Sequence, residues 1–196
     1  MSAIKYLCVY CGSRPGRLPA YTEAATALAQ ALVKHQIGLV YGGASIGLMG
    51  TVADEVLALG GDVIGVIPKA LAHKEVAHPN LTQMHVTASM HERKTLMAEL
   101  ADGFIALPGG IGTFEELFEI WTWAQLGFHH KPCGLLNVAG YYEHLIQFLD
   151  HVQAEQFVKK ATRDLLIVAD DPDVLLTRFL NYQAPPITTW LSKEET

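Results

Sequence analysis

Gly103–Glu116 reads GFIALPGGIGTFEE, and the order of residue types in this stretch indicates the fold. Its first part, Gly103–Leu107, is a short apolar run of the kind that forms a buried strand. Three glycines follow within five residues, and a pattern with apolar residues at helical spacing begins at Phe114. A strand, a glycine-rich turn and a helix in this order form the repeating unit of an α/β sheet.

Short apolar runs alternate with longer amphipathic runs along the rest of the chain. This alternation predicts an α/β fold: one domain with a doubly wound, Rossmann-like parallel sheet flanked by helices. The predicted strands are Ile4–Cys11, Gly38–Tyr41, Asp62–Ile67, Met84–Val86, Gly103–Leu107, Pro132–Leu136 and Leu165–Val168. The predicted helices are Pro19–His35, Leu48–Leu59, Met90–Ala101, Phe114–Leu126, Tyr141–Gln153 and Pro172–Asn181. We expect residues 1–182 to form the domain and residues 183–196 a C-terminal tail.

Composition restricts the possible partners. The chain has 196 residues, enough for one domain with a sizeable core, and only 17% of them are charged. Its net charge of −6 shows no basic bias, so we expect no nucleic-acid partner. No apolar run reaches the roughly 18 residues of a membrane-spanning helix, and we expect no membrane association. Residues 1–5 lack the apolar stretch of a signal peptide, which predicts a cytoplasmic protein.

The cysteines and histidines do not suggest a metal or redox site. Cys8 and Cys11 form a CxxC, but residues three apart in a strand point to opposite faces. Their Cα atoms would lie about 10 Å apart, beyond the roughly 7 Å limit of a disulfide, so we expect both to be buried as small apolar groups. The nine histidines show no metal-ligand spacing, and no HExxH occurs after His91. We expect no metal ion.

Three glycine-rich turns follow predicted strands, and they suggest a common ligand site. They are Cys11–Arg14, Gly42–Gly47 and Pro108–Thr113. The carboxyl ends of parallel strands meet at one edge of a sheet, where ligands of such folds bind. Ser13 and Gly43, from the first two turns, are therefore candidate contacts to the ligand.

The third turn has the features of a phosphate site. Gly109, Gly110 and Gly112 permit positive φ and leave no side chain in the way of a ligand. The helix that follows offers free N–H groups and the positive end of its dipole. No GK[ST] follows, so this is not a Walker A loop. Gly42–Gly47 is closer to a dinucleotide motif but lacks its middle glycine, which argues against NAD.

Glu116 has two interpretations. It stands three residues after Thr113, which is the spacing of a capping box at the start of a helix. Alternatively, Glu116 lies beside the phosphate loop and stabilises cationic character in a bound sugar. Its neighbours Glu115 and Glu119 are expected to be solvated.

Arg93 and Lys94 are cations in the first turns of a helix, where the helix dipole disfavours them. Ser89 and Glu92 predict a capping box that starts this helix. Arg93 is in line with apolar residues three, four and seven positions later, so it faces the protein interior. It needs an anionic partner there, either in a structural salt bridge or as a ligand phosphate or a catalytic carboxylate. Lys94 is either a ligand contact or an ordinary surface lysine.

Two segments together carry a family resemblance. Pro108–Glu116 reads PGGIGTFEE and fits the pattern PGGxGTxxE, and the residues from Met90 to Lys94 form an arginine motif, MHERK. With these motifs the sequence resembles the Lonely Guy (LOG) family of cytokinin riboside 5′-monophosphate phosphoribohydrolases. The similarity runs over roughly residues 4 to 180 in the expected order. Supporting stretches are Val9–Ser13, Tyr41–Gly43, Gly47–Gly50, Trp123–Gly127, Lys131–Pro132, Gly134–Asn137 and Gly140–Tyr142.

The resemblance implies a hydrolase that cleaves the N-glycosidic bond of a cytokinin riboside 5′-monophosphate, with AMP as a further candidate substrate. The products would be the free base and ribose 5-phosphate, and we expect no cofactor. It also implies a homodimer whose active site lies near the subunit interface. By motif position Arg93 and Glu116 are the catalytic pair. The implied substrate- and phosphate-binding residues are Gly109, Gly110, Ile111, Gly112, Thr113, Lys94, Glu75 and Thr122.

Three other functions fit parts of the sequence. A non-catalytic nucleotide-binding module explains the glycine turns and Arg93 but needs no Glu116 near the glycosidic bond. A lysine decarboxylase, an older label in this family, requires a pyridoxal phosphate Schiff base, and Lys94 is the only lysine inside a strong motif. A base-exchange transferase requires a second base as acceptor.

Overall fold

Seven strands form the sheet of this protein. The structure is a computed structural model that describes residues 4–72 and 77–185. The strands are β1 (Tyr6–Tyr10), β2 (Gly38–Tyr41), β3 (Val63–Pro68), β4 (Gln83–Thr87), β5 (Phe104–Ala106), β6 (Cys133–Leu136) and β7 (Leu166–Ala169). All pairs are parallel, and the order across the sheet is β4-β3-β2-β1-β5-β6-β7. Every predicted strand is confirmed, with its ends shifted by at most two residues.

Helices connect the strands, and the six predicted ones are present. The helices are α1 (Pro19–Lys34), α2 (Gly47–Ala58), α3 (Lys69–Ala72), α4 (Met90–Leu100), α5 (Ile111–Leu126), α6 (Glu143–Ala154), α7 (Lys160–Arg163) and α8 (Pro172–Leu180). The short helices α3 and α7 were not predicted, and neither was a 3₁₀ turn at Val138–Gly140. None of the described helices has the length and apolarity needed to cross a membrane.

The helices cover both faces of the sheet, as the doubly wound prediction requires. Alternate residues of β1 belong to two different cores: Leu7 and Val9 pack with α1, α2 and α8, while Cys8 and Tyr10 pack with α4, α5 and α6. Cys11 lies in the first core and is free, so the prediction that Cys8 and Cys11 face opposite sides is confirmed. Burial on both faces explains why the inner strands are almost continuously apolar, whereas the edge strand β4 is partly exposed and contains polar residues.

The order of the strands reverses at β1, and this creates a crevice. From β1 the chain moves outward to β4, then returns and places β5 on the other side of β1. Tyr10 pairs with Ala106 at the carboxyl ends of these two strands. The connections after β1 and β5 therefore diverge from the same point at the top of the sheet, which is where ligands bind in this architecture.

Candidate active site

The three glycine-rich turns contact one another and form the floor of one site. The N–H of Gly12 donates to the carbonyl oxygen of Pro108 at 3.1 Å, and the N–H of Leu48 donates to the carbonyl oxygen of Gly12 at 3.0 Å. Gly47 has φ +58°, and a Cβ on it would collide with the backbone of Ser13. The turns after β1, β2 and β5 are thus joined backbone to backbone, as the sequence predicted.

The glycines of the third turn serve close packing and open space, not an unusual backbone conformation. None of Gly109, Gly110 and Gly112 has positive φ, which corrects the prediction for them. A Cβ on Gly109 would collide with the hydroxyl of Thr113, whereas one on Gly110 or Gly112 would meet nothing within 4 Å. Gly110 and Gly112 therefore keep the space in front of the helix open.

Helix α5 begins earlier than predicted and has no side-chain cap. Its N-cap is Gly110, and its first helical hydrogen bond runs from the N–H of Phe114 to the carbonyl oxygen of Gly110 at 3.2 Å. The predicted capping box of Thr113 and Glu116 is therefore wrong, because both residues lie inside the helix. Since no side chain caps this 16-residue helix, its N-terminus offers free N–H groups and its dipole to an anion.

Helix α4 holds Arg93 toward the interior. The predicted capping box at its start is confirmed in its main contact: the Ser89 hydroxyl accepts from the N–H of Glu92 at 3.1 Å. The Glu92 carboxylate reaches one residue further back and accepts from the N–H of Ala88 at 2.7 Å. This cap fixes the first turn, from which Arg93 points inward with only 7% of its side chain exposed.

The Arg93 guanidinium is fixed by contacts from three parts of the chain. Its Nε donates to the carbonyl oxygen of Val66 at 3.1 Å, and its Nη2 donates to that of Gly42 at 3.3 Å. The same Nη2 lies 3.8 Å from Oε1 of Glu116. A Cβ on Gly42 would overlap Nη2, so this glycine makes room for the guanidinium. The anionic partner that the sequence required for Arg93 is thus Glu116.

Arg93 and Glu116 share a small cavity with the start of α5. The Glu116 side chain is 13% exposed, so it remains accessible from this cavity. The cavity measures about 220 Å³ and is lined by Cys11, Gly12, Ser13, Met49, Arg93, Gly110, Ile111, Gly112, Thr113 and Glu116. Burial, together with the negative charge of Glu116, raises the pKa of the Cys11 thiol, so this thiol stays protonated and is a poor nucleophile.

Lys94 lies outside the lining of this cavity. Its ammonium group contacts Glu115 at 2.6 Å and Glu119 at 2.9 Å, which links α4 to α5. Burial opposes the charge of Lys94, but hydrogen bonds to both carboxylates outweigh it and raise the pKa of the amine. Glu115 and Glu119 are therefore ion-paired, not simply solvated as predicted, because α4 brings a cation against the outer side of α5.

Three other predicted ligand residues within the described part of the chain do not line this cavity; they are Thr122, Gly43 and Gly109. The Thr122 hydroxyl donates to the carbonyl oxygen of Phe118 at 2.7 Å within α5. Gly43 has φ +77°, and its carbonyl oxygen accepts from the N–H of His78 at 2.9 Å. Glu75 falls outside the described residues. Within residues 4–72 and 77–185, no group of three or more His, Cys, Asp or Glu residues could hold a metal ion.

A larger cavity adjoins the same glycine turn, and the sequence did not predict the side of it that two tyrosines form. It measures about 550 Å³ and is lined by Gly12, Ser13, Arg14, Pro15, Gly16, Tyr21, Leu48, Pro108, Gly109, Gly110, Ile111 and Tyr141. Tyr21 and Tyr141 contact each other edge to face, with 5.6 Å between ring centroids. The resemblance did include Tyr141, but no local pattern indicates that it folds back onto a turn 32 residues earlier.

Comparison with known proteins places this arrangement in a family. A family model described as "possible lysine decarboxylase" matches residues 49–179. The cytokinin riboside 5′-monophosphate phosphoribohydrolase of Rhodococcoides fascians is 50% identical over 168 residues, 85% of each chain. The enzyme of the same name called LOG5, from Arabidopsis thaliana, is 47% identical over 182 residues, 93% of this chain and 80% of its own. The chain belongs to the LOG family.

Solved structures show the same fold as this LOG-family chain at low sequence identity. The molybdenum cofactor binding protein of Rippkaea orientalis matches with a TM-score of 0.67 and 20% identity, over 88% of this chain and 93% of its own. The Moco carrier protein of Chlamydomonas reinhardtii also has a TM-score of 0.67 and 20% identity, over 90% and 97% of the two chains. These matches confirm the Rossmann-like architecture of the LOG-family chain.

Proposed function

We propose that this LOG-family chain hydrolyses the N-glycosidic bond of cytokinin riboside 5′-monophosphates, releasing the free base and ribose 5-phosphate. The observation that carries the proposal is the placement of the Arg93 guanidinium and the Glu116 carboxylate, 3.8 Å apart, in one cavity with the uncapped start of α5. Relatives that are 47% and 50% identical bear the name of this activity.

The uncapped start of α5 anchors the 5′-phosphate. The N–H groups of Ile111, Gly112 and Thr113 have no partners four residues back in the helix, and the dipole adds attraction for an anion. Gly110 and Gly112 let the phosphate approach this backbone closely, since no side chain occupies the space. Binding energy from the phosphate is remote from the bond that breaks, so nucleosides without it should react poorly.

Glu116 and Arg93 have different roles in the reaction at the sugar. Loss of the base leaves an oxocarbenium-like centre at C1′, and water completes the reaction by adding its hydroxyl to C1′ and a proton to the base. The Glu116 carboxylate stabilises the positive charge or orients that water. Arg93 holds Glu116 in place, and its own position is set by the carbonyl groups of Val66 and Gly42.

Lysine decarboxylation, which the description of the family model names, does not suit Lys94. A Schiff base forms on a neutral amine, and enzymes that use one lower the pKa of their lysine. Here Glu115 and Glu119 raise the pKa of Lys94 and hold its ammonium group against the outer side of α5. The contacts of Lys94 therefore support hydrolysis of the N-glycosidic bond at Glu116 over amine chemistry at Lys94.

The domain, the assembly and the location are part of the proposal. Residues 1–182 act as one nucleotide-binding catalytic domain, and the chain works as a cytoplasmic homodimer without nucleic-acid or membrane partners. Large apolar side chains exposed on the elements around the site support a dimer. They are Val86 at the end of β4, Met90 at the start of α4, and Ile111 and Phe118 on α5.

The experiment is to incubate the purified protein with isopentenyladenosine 5′-monophosphate, AMP and the two corresponding nucleosides, and to quantify free base and ribose 5-phosphate. We expect release from monophosphates only, and a loss of at least about 100-fold in kcat for Glu116→Gln and Arg93→Ala. Both variants should keep the wild-type circular dichroism spectrum. Tight AMP binding without base release would instead indicate a nucleotide-binding module, and unchanged turnover in Glu116→Gln would remove this residue from the mechanism.

A further inference from the structure

Three consecutive carbonyl groups lead into the phosphate turn, and each is held by a different partner. The carbonyl oxygen of Leu107 accepts from the Tyr142 hydroxyl at 2.6 Å. That of Pro108 accepts from the N–H of Gly12 at 3.1 Å, and that of Gly109 accepts from the Tyr141 hydroxyl. These external contacts orient the three successive peptide planes from Leu107 to Gly110.

The two tyrosines are delivered by a strained turn after β6. Ala139 has φ +49° and Gly140 has φ +70°, so two successive residues adopt the left-handed conformation. The Asn137 side chain closes this turn by accepting from the N–H of Tyr142 at 2.8 Å. Left-handed backbone at a residue with a Cβ is costly, and such strain is concentrated at functional sites. The strained turn at Ala139 brings the hydroxyl groups of Tyr141 and Tyr142 to the phosphate turn.

The Tyr141 contact determines where one amide of the phosphate turn points. In a planar trans peptide the C=O and the following N–H point in opposite directions. The bond from Tyr141 to the Gly109 carbonyl therefore directs the N–H of Gly110 away from Tyr141. Gly110 lines both cavities, and its N–H has no hydrogen-bond partner within the described residues. This amide is free to bind a ligand.

We propose that Tyr141 is a positioning residue for phosphate recognition: it orients the Gly109–Gly110 peptide so that the N–H of Gly110 joins those of Ile111 to Thr113 around the anion. The inference rests on the proposed function for the identity of the anion. Packing fixes the Tyr141 ring, which contacts Tyr21 and Tyr142 edge to face at 5.6 and 5.0 Å between centroids. Tyr141→Phe therefore removes the hydroxyl and keeps the ring contacts.

The test compares wild type, Tyr141→Phe and a control, Tyr182→Phe, whose hydroxyl makes no hydrogen bond within the described residues. Calorimetry measures binding of AMP, adenosine and inorganic phosphate, and assays measure KM and kcat for the monophosphate. We expect Tyr141→Phe to lower the binding affinities for AMP and for inorganic phosphate by the same factor, about 3- to 10-fold, which corresponds to the loss of one oriented hydrogen bond. Adenosine binding and the unfolding temperature should match those of Tyr182→Phe.

The outcomes separate this inference from the proposed function. Weaker phosphate binding in Tyr141→Phe supports it even if the wild type binds AMP without releasing base, a result that overturns the hydrolase proposal alone. Wild-type phosphate and AMP affinity in Tyr141→Phe overturns the inference, whatever the activity. Equal weakening of AMP and adenosine, or a lowered unfolding temperature, also overturns it, because a purely structural role would produce that result.

Discussion

At the scale of single residues, Arg93 shows how contacts within the protein offset the free-energy cost of burying a cation. Removing a guanidinium from water is costly unless its donors find acceptors in the protein. Two backbone carbonyl groups, from β3 and the turn after β2, accept hydrogen bonds from the guanidinium, and the Glu116 carboxylate on α5 supplies a countercharge 3.8 Å from Nη2. The planar fork of arginine suits three divergent partners, whereas a lysine ammonium is a single point charge. Arg93 thus ties helix α4 to β3, to the turn after β2 and to helix α5.

The first prediction at this scale concerns Gly42. A Cβ at this position would overlap Nη2 of Arg93, so Gly42→Ala should displace the guanidinium from Glu116. We expect kcat/KM for the monophosphate to fall about 10- to 100-fold, corresponding to roughly 1.4 to 2.7 kcal/mol of transition-state stabilisation. Steady-state kinetics with the folded variant measures this loss.

Gly60→Ala is the matched control for that substitution. Gly60 has φ +78° and open space around its Cβ position, so alanine there introduces backbone strain of about 1 kcal/mol far from the site. The control should lose some stability and keep its kcat/KM. If Gly42→Ala kept wild-type kcat/KM, the position of the guanidinium would not matter for turnover.

At the scale of elements, helix starts show what a local pattern can and cannot predict. Within the described residues, the pattern of Ser or Thr followed three residues later by Glu occurs at Ser89 and at Thr113, and of these two only Ser89 forms a cap. The apolar residues at helical spacing begin at Phe114 and therefore predicted a later start for this helix. The chain nevertheless begins α5 at Ile111, so Thr113 lies inside the helix and Glu116 faces Arg93.

Contacts between distant elements account for what the sequence did not predict. The strands and long helices followed from periodicity, and the inward direction of Arg93 followed from its spacing to Met97 on α4. The pairing of Lys94 with Glu115 and Glu119 depends on how α4 and α5 pack, which no local pattern reports. The same holds for Tyr141, whose partner Gly109 lies on a different connection of the sheet.

The end of α5 provides a prediction about pH. The His129 ring nitrogen Nε2 lies 2.9 Å from the Ile120 carbonyl oxygen, and Nδ1 accepts from the N–H of Lys131 at 3.1 Å. Only a neutral ring can accept at Nδ1 while donating at Nε2. Burial, reinforced by the charge of Lys131 and opposed by the Ile120 carbonyl, lowers the pKa of His129 to about 4.

The sign of the effect follows from linkage. Between pH 6.5 and about 4 the unfolded chain binds a proton at His129 and the folded chain does not, so stability falls as the pH falls through this range. We expect this group to remove up to roughly 3 kcal/mol of the free energy of unfolding by pH 4. Urea unfolding at pH 7, 5.5 and 4.5 measures this loss, and His129→Gln should reduce the slope of the free energy of unfolding against pH. The control is His144→Gln, at an exposed position on α6; equal slopes in His129→Gln and wild type would refute the assignment.

At the scale of the whole molecule, the exposed apolar side chains near the site predict a homodimer. Val86 is 60% exposed on β4, an edge strand, and apolar exposure of this kind marks interfaces. We expect analytical ultracentrifugation to give twice the mass of one chain, and Val86→Lys to shift the protein to monomers with reduced activity. Phe157→Lys is the control, since Phe157 is 86% exposed on a different part of the fold. A monomeric wild type with full activity would contradict the prediction.

The central position of β1 has a consequence for synthesis on the ribosome. One edge of β1 pairs with β2, which is synthesised soon after β1. The other edge pairs with β5, where Phe104 is the partner of Cys8, and β5 is synthesised much later. At about 5 to 20 residues per second, that edge stays without its partner for roughly 5 to 20 seconds. An open strand edge is a template for aggregation during this interval. Glu116 lies on the helix that follows β5. Pairing of β5 with β1 therefore closes the open edge of β1 and brings the Glu116 carboxylate to the site in the same step.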